Sequence, residues 1–197
     1  MENMTANVES GGKFSSLSCG HSVTFDSLGK GDEPLIVGLL ERNLSGYKEA
    51  GSVLASTFRR LKSFYEIYSA PGSIYITMRS KADHQYIGGA GLAPLAGLSP
   101  SEGIGEIRDL FITKEYRGNG LGAVLLRQCL ERARKVNYTR LYLETTPEMV
   151  NAQKLFRRFG FRPVTYNDSN KSHAASKELV SDMPCYYMLE SLADANP

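Results

Sequence analysis

Residues 117–122 read Arg-Gly-Asn-Gly-Leu-Gly, and their flanking segments make this stretch decisive for the fold. Residues 106–112 form an apolar, strand-like run, and residues 122–135 carry an apolar stripe at helical spacing. Glycine lacks a Cβ, so main-chain N–H groups can approach an anion closely, and the first N–H groups of a helix have no partner within it. Since Arg117 can add charge-assisted hydrogen bonds, the pattern indicates a site for a phosphate-bearing ligand.

Two better-known phosphate loops do not fit this stretch. The nucleoside-triphosphate loop ends in Gly-Lys-Ser/Thr, which is missing here. The dinucleotide fingerprint needs a third glycine after two intervening residues, and position 123 is Ala. Glycine-rich turns between a strand and a helix are common, and a turn that binds nothing stays an alternative.

Two motifs resemble signatures of the GNAT superfamily, the acetyl-CoA-dependent N-acetyltransferases. Arg117-x-x-Gly120-x-Gly122 matches the pattern Arg/Gln-x-x-Gly-x-Gly/Ala, and residues 152–161, Ala-Gln-Lys-Leu-Phe-Arg-Arg-Phe-Gly-Phe, are similar to the second signature. Between them, residues 141–145 read as the strand that separates from its neighbour in this family and admits the pantetheine arm. The resemblance covers about residues 21–192 and is sharpest at 106–164.

The order of predicted elements agrees with that resemblance. Strands are predicted at 21–28, 74–78, 86–92, 104–113, 139–145, 161–166 and 184–191, and helices at about 32–45, 53–68, 122–135 and 148–159. This order, β-α-α-β-β-β-α-β-α-β-β, predicts a GNAT-like mixed α/β fold, with a twisted central sheet and helices on both faces. Three consecutive strands at about 73–113 disfavour a doubly wound nucleotide-binding sheet. Residues 1–20 are expected to be disordered or a short extension, before a single domain at 21–197.

Three local signals add detail to this prediction. Asp32-Glu33-Pro34 favours a helix start, since it places acidic residues and a proline in the first turn. The glycines at 88, 89 and 91 are unusual inside a strand and indicate a bulge or a close approach of main chain. Thr146, followed by Pro147, is the expected N-cap of the helix after it.

Composition is typical of an ordinary enzyme domain. The formal net charge of +2 gives no strong field for nucleic acid or membrane, and no apolar run approaches the roughly 18 residues of a membrane helix. The polar N-terminus does not read as a signal peptide. Three cysteines without metal-ligand spacing, and three scattered histidines, predict no metal site and a cytoplasmic location.

The resemblance also implies where the coenzyme would lie. The family pairs the pantetheine arm with main-chain groups of the central strand, here Leu110, Phe111 and Ile112. The pyrophosphate would lie on Arg117, Gly118, Asn119, Gly120, Leu121 and Gly122. In the second signature the family's asparagine position is Met149, and the nearby Asn151 and Phe156 are assigned to the coenzyme side.

Glu106 is the first choice for the base that removes a proton from the acceptor amine, because many members of the family carry a Glu there. Residues two apart on a strand point the same way, so Glu106 and Arg108 are expected on one face and Asp109 on the other. A surface ion pair between Glu106 and Arg108 is the alternative. Glu144 is a second candidate, as base or for recognising a cationic acceptor beside Arg108, or else a structural salt bridge.

The sequence departs from the family pattern at the general acid. Where the family often has a tyrosine, this chain has Phe156, whose ring cannot protonate a thiolate. Tyr142, Tyr186 and Tyr187 are the phenols on nearby strands, and Tyr187 is the preferred substitute, although strand tyrosines are usually packing residues. Alternatively, the thiolate leaves unprotonated, which its modest basicity permits.

These observations predict an N-acetyltransferase that moves an acetyl group directly from acetyl-CoA to a primary amine. The acceptor would be a small-molecule amine or a protein amine, and neither nucleic acid nor membrane is an expected partner. A homodimer is common in such families. A non-catalytic acyl-CoA-binding sensor and a nucleotide-binding phosphate loop are the alternatives.

Overall fold

The computed structural model describes residues 7–8, 14–18, 21–45, 51–164, 185–193 and 195. The strands are β1 (Asn7–Val8), β2 (Phe14–Ser18), β3 (His21–Ser27), β4 (Ile74–Ser80), β5 (Tyr86–Pro94), β6 (Ile104–Ile112), β7 (Arg140–Thr145), β8 (Arg162–Val164) and β9 (Cys185–Leu189). The helices are α1 (Glu33–Leu44), α2 (Gly51–Leu61), α3 (Phe64–Ser69), α4 (Leu121–Lys135) and α5 (Val150–Arg158). Within these ranges no helix is both long and apolar enough to cross a membrane.

The strands form one sheet in the order β1-β2-β3-β4-β5-β6-β7-β9-β8. Strands β6 and β7 run parallel, while the other neighbouring strands of the described sheet are antiparallel. A parallel pair needs a long crossover, and α4 supplies it. The parallel pair lies inside the sheet, with antiparallel strands on both sides.

Helices cover both faces of the sheet, as the sequence predicts. Helices α1 and α3 bury Ile36, Leu40 and Phe64 against one face. On the other face, α4 and α5 bury a larger cluster that includes Leu125 and Phe156. The predicted mixed α/β architecture is therefore confirmed.

Two helix predictions differ from the structure. The helix expected over 53–68 is broken into α2 and α3 at Lys62 and Ser63, where the main chain closes α2 with i→i+3 hydrogen bonds and Ser63 leaves the helical conformation. Thr146 does not cap α5, which begins at Val150 with Met149 in the N-cap position. The start of α1 agrees with the prediction, with Asp32 as N-cap and a proline in the first turn.

The N-terminal segment contributes two strands to the sheet edge. Residues 14–18 pair antiparallel with β3, and residues 7–8 pair with β2. The edge of β3 offers unpaired N–H and C=O groups that a further strand can satisfy. The described part of residues 1–20 is therefore an extension of the sheet, and the division into an extension and a domain at 21–197 stays a prediction.

The glycines of β5 make room for aromatic side chains that cross this strand. A Cβ at Gly89 would lie 2.6 Å from Cε1 of Tyr75, and one at Gly91 would lie 2.3 Å from the ring of Tyr68. The pairing of β5 with β6 also shifts register between these two glycines. The irregularity predicted from the glycines is present as this register shift, but the extra residue lies in β6, and the groups that approach Gly89 and Gly91 are aromatic side chains rather than main chain.

Replacement of Gly91 by Ala should destabilise the fold, because the new methyl group would occupy the position of the buried Tyr68 ring. We expect a loss of about 1–3 kcal/mol in the free energy of unfolding, the usual cost of overpacking, measured by urea denaturation. Gly31→Ala is the control, since a Cβ there has nothing within 4 Å. Equal stability of the two variants would contradict the steric explanation.

Candidate active site

The central feature of the site is a cleft where β6 and β7 separate. Their parallel pairing runs from Ile104–Arg140 to Ile107–Leu143 and ends there, although β6 continues to Ile112 and β7 to Thr145. The separation predicted for residues 141–145 is thus found at the carboxyl end of this strand pair. A pocket occupies it.

Side chains from both faces of the sheet line this cleft. One set comes from the face covered by α1–α3, and another from the face covered by α4 and α5. The lining residues are Leu40, Leu44, Thr57, Arg60, Glu106, Ile107, Arg108, Asp109, Leu110, Phe111, Leu143, Glu144, Thr145, Met149, Ala152 and Phe156. The cleft therefore connects the two faces through the sheet.

A β-bulge in β6 places Asp109 beside this cleft. Gly91 pairs with Arg108 and Gly89 with Phe111, so Asp109 and Leu110 together oppose the one residue between those glycines. Asp109 has a φ of 51°, in the left-handed region that few side chains adopt. The expected alternation, with Asp109 facing away from Glu106, is wrong because the bulge turns its side chain to the α1–α3 face.

The Asp109 carboxylate is fully buried and is held by two side chains. Arg60 of α2 donates through Nη2 to Oδ1 at 2.7 Å and through Nε to Oδ2 at 3.2 Å. The Tyr68 hydroxyl of α3 donates to Oδ2 at 2.6 Å. This contact of Asp109 with Arg60 and Tyr68 was not predicted from the sequence. The related signal was the set of glycines in β5, which indicated a close approach to that strand.

Glu106 lies in the cleft but is not free. Its carboxylate accepts a hydrogen bond from Arg108 Nη2 at 2.5 Å, and the same Nη2 lies 3.1 Å from the carbonyl oxygen of Pro94. Both charged side chains are about 11–12% exposed. The predicted shared face of Glu106 and Arg108 is confirmed, and the pair they form is buried rather than on the surface.

Glu144 projects from the end of β7 on the same face as Glu106. The Tyr142 hydroxyl donates to its Oε1 at 3.0 Å, and in the described part of the chain it forms no salt bridge with Lys or Arg. Desolvation in the cleft and the nearby Glu106 carboxylate raise the pKa of Glu144 above its ordinary value of 4.5. This carboxylate is thus suited to meet a cation from solution.

The glycine loop adopts the conformation that its sequence predicts. Gly118 and Gly120 have φ values of 82° and 74°, and α4 begins directly after Gly120. Arg117 is exposed; its Nε donates to the Ile112 carbonyl at 2.9 Å and its Nη2 to Asn43 Oδ1 at 2.7 Å. The start of α4 therefore stands next to an arginine at the end of β6, an arrangement suited to an anion.

The other predicted residues divide into two groups. Leu110, Phe111 and Phe156 line the cleft. Ile112 is buried outside its lining, and Asn151 is exposed on α5. Tyr187 is buried, and its hydroxyl lies 3.2 Å from both Gln153 Oε1 and Arg157 Nη2, so the structure does not bring it into the cleft.

Several residues of the cleft wall were not among the predicted site residues. Leu40 and Leu44 come from α1, Thr57 from α2 and Met149 from the turn before α5. Thr145 also lines the cleft and has a buried Oγ1 that forms no hydrogen bond within the described residues. The helical stripes of α1 and α2 predicted that these helices pack in the core. Their additional role as cleft wall depends on tertiary packing.

The fold and the cleft define an acyltransferase class. Residues 43–161, more than half of the chain, match the acetyltransferase (GNAT) family, and the chain belongs to this family. The uncharacterised N-acetyltransferase YjgM of Escherichia coli K12 is 35% identical over 106 residues, which are 54% of this chain and 61% of YjgM. The chain thus spans about three fifths of that relative. The predicted family membership is confirmed.

Solved structures support the fold assignment. A GNAT-family acetyltransferase of Staphylococcus aureus Mu50 superposes with a TM-score of 0.67 at 16% identity, covering 84% of this chain and 97% of that one. The protein yncA of Salmonella typhimurium, determined with its cofactor acetyl-CoA, gives a TM-score of 0.62 at 16% identity, covering 86% and 94%.

Replacement of Arg60 by Met should leave the Asp109 carboxylate buried without its cation. We expect a loss of about 3 kcal/mol in the free energy of unfolding, the low end of the range for breaking a buried pair, because Arg60 keeps 20% exposure. Urea denaturation checks this, with Arg59→Met, an exposed neighbour on α2, as the control. A loss below about 1 kcal/mol would show that the pair contributes little.

Proposed function

We propose that this protein transfers an acetyl group from acetyl-CoA to a primary amine by direct, sequential transfer. The observation that carries the proposal is the cleft between β6 and β7, which is lined by three carboxylates and by the end of β6, the strand that leads into the glycine loop. Family membership supports acetyl transfer as the reaction class.

We assign the coenzyme to the β6 end of the cleft and the loop that follows it. Main-chain groups of Leu110–Ile112 would hold the pantetheine arm, and Arg117 with the first N–H groups of α4 would hold the pyrophosphate. Leu110 and Phe156 line the cleft as apolar walls. The positive charge of Arg117 and the first N–H groups of α4, which have no partner within a helix, support this assignment of the diphosphate.

The acceptor is assigned to the side of the cleft lined by α1 and α2. The charged residues there are three carboxylates, Glu106, Asp109 and Glu144, and two guanidinium groups, Arg60 and Arg108. Each arginine is already paired with another carboxylate, whereas Glu144 forms no ion pair within the described residues. A net negative wall favours an ammonium group, and Glu144 is the residue that would bind it.

Direct transfer needs a deprotonated amine rather than a protein nucleophile. The amine nitrogen bonds to the acetyl carbon, the carbon–sulfur bond breaks, and the ammonium proton passes to Glu106 or to water. Neither Cys129 nor Cys185 lines the cleft, and burial raises the pKa of Cys129 to about 12. The departing thiolate, with a basicity near that of an ordinary thiol, can leave without an acid from the protein.

Calorimetry with acetyl-CoA, followed by turnover against a panel of amines, tests the proposal. Binding of acetyl-CoA together with formation of an acetylated amine is the expected result. Binding without turnover on any amine would favour the acyl-CoA sensor. Stabilisation by ATP or NAD instead of CoA would favour a nucleotide-binding loop.

The Arg117→Ala substitution should weaken acetyl-CoA binding by about 1.5–3 kcal/mol, because it removes charge-assisted hydrogen bonds to phosphate. Isothermal titration gives the Kd, and Lys114→Ala, at an exposed position near the loop, is the control. An unchanged Kd for Arg117→Ala would place the pyrophosphate elsewhere.

The pH profile of kcat/KM should fall at acid pH as Glu144 becomes protonated. Since its pKa is raised, this loss occurs above pH 4.5, and activity is retained on the alkaline side. Glu144→Gln should raise KM for the amine about 10- to 100-fold and remove the contribution of Glu144 to this acid limb, so that the limb moves to a different pH. An unchanged KM together with an unchanged acid limb in Glu144→Gln would exclude this role.

Glu106→Gln should instead lower kcat about 100-fold with acetyl-CoA affinity nearly intact.

A further inference from the structure

Two tyrosines reach across β5 to the bulge of β6. Tyr68 comes from α3 and Tyr75 from β4, and each passes over a glycine of β5 whose Cβ would collide with its ring. The Tyr68 hydroxyl donates to the Asp109 carboxylate, and the Tyr75 hydroxyl donates to the main-chain carbonyl of Asp109 at 3.2 Å. The side chain and the main chain of one residue are therefore held separately.

Tyr68 and Tyr75 form, with Arg60 and Asp109, a hydrogen-bonded group that we call the Asp109 network. Tyr68 and Tyr75 are almost fully buried and pack edge-on against Phe64, with ring centroids 4.9 and 4.7 Å away. Burial, with the adjacent Asp109 charge, raises the pKa of both hydroxyls well above the usual value. Both therefore remain hydrogen-bond donors at any ordinary pH.

The bulge needs such support because its conformation is unfavourable in isolation. A residue with a side chain in the left-handed region is strained, and this conformation persists only where its surroundings impose it. The bulge also interrupts the hydrogen-bond ladder between β5 and β6. Its two flanking residues, Arg108 and Leu110, both line the cleft, so the orientation of the bulge sets the shape of the cleft wall.

We propose that Tyr68 and Tyr75 are positioning residues for acetyl transfer, which hold the main chain at Asp109–Leu110 in the orientation that presents it to the thioester. The proposal rests on the proposed function. Main-chain N–H groups held in place before reaction stabilise the developing oxyanion without reorganisation, and a small displacement lowers the rate. The tyrosines act through the bulge and do not contact the reacting atoms.

The Tyr75→Phe substitution tests this inference, because it removes one hydroxyl and keeps the ring. Tyr138→Phe is a matched control: Tyr138 is also buried, does not line the cleft, and donates its hydroxyl to the main-chain carbonyl of Gly72 at 2.8 Å rather than to the bulge. We expect similar small decreases in Tm for the two variants. Only Tyr75→Phe should lower kcat, by about tenfold, with the Kd for CoA unchanged in both.

Hydrogen exchange supplies a readout that needs no acceptor. Amides in residues 106–113 should exchange faster in Tyr75→Phe and in Tyr68→Phe than in the wild type, while Tyr138→Phe leaves this segment unchanged. Unaltered kcat and unaltered exchange in both Tyr75→Phe and Tyr68→Phe would overturn the inference. If instead the wild-type protein does not bind acetyl-CoA, the proposed function fails.

Discussion

The separation of β6 from β7 is the constraint on which the rest of the site depends. Beyond Ile107 and Leu143 each strand is hydrogen-bonded only to its other neighbour, so main-chain groups face a gap inside the sheet. Unpaired main-chain groups are costly unless water or a ligand satisfies them. Leu110 and Phe156 line the gap. The cleft therefore follows from the point at which the pairing of β6 with β7 ends.

The Asp109 network follows from the same geometry. A strand that leaves its parallel partner keeps its shape only through its remaining neighbour, and β6 has β5 alone on that side. The register shift between Gly89 and Gly91 provides the extra length, and the absence of Cβ atoms there lets two tyrosines reach the bulge. A larger residue at either glycine would remove both the ring position and the hydrogen bond to Asp109. Packing, strand register and the shape of the cleft are thus coupled at one point of the sheet.

Sequence patterns predicted this fold well where the signal was local. The glycine loop, the hairpin of β4 and β5 and the start of α1 depend on neighbouring residues, and the structure agrees with each. The direction of Asp109 could not be predicted, because a single extra residue in β6 reverses the alternation and leaves no mark on β6 itself. Thr146 has the residue type of a cap, but the helix begins four residues later.

The residues of the candidate site also divide into those that the sequence predicted and those that only the fold brings together. Glu106 was predicted from the family resemblance, Arg108 from its position two residues further along the same strand, and Glu144 from its position at the end of β7; all three line the cleft. Tyr187 was also chosen for its position on a strand near this end of the sheet. However, β9 pairs with β7 on the side away from β6, and the Tyr187 hydroxyl contacts Arg157 of α5. Arg60 and Thr57 lie on α2, and no pattern in the sequence indicates how close this helix lies to β6. Pairwise contacts across more than 40 residues, such as Arg60 to Asp109, need the fold.

The through-sheet cleft also gives the two substrates of the proposed reaction separate walls. In the proposed arrangement, the α4–α5 face and the glycine loop would lie toward the coenzyme, whereas α1 and α2, which contribute Leu40, Leu44, Thr57 and Arg60 to the cleft wall, would face the acceptor. Alternation along β6 and β7 makes this possible, because successive residues of one strand serve opposite faces. Asn43 of α1 contacts Arg117 of the loop, so the acceptor-side helix touches the coenzyme side at one hydrogen bond. If the proposed assignment of the two substrates holds, variation in α1 and α2 would change the acceptor while the strand pair and the loop keep the donor in place.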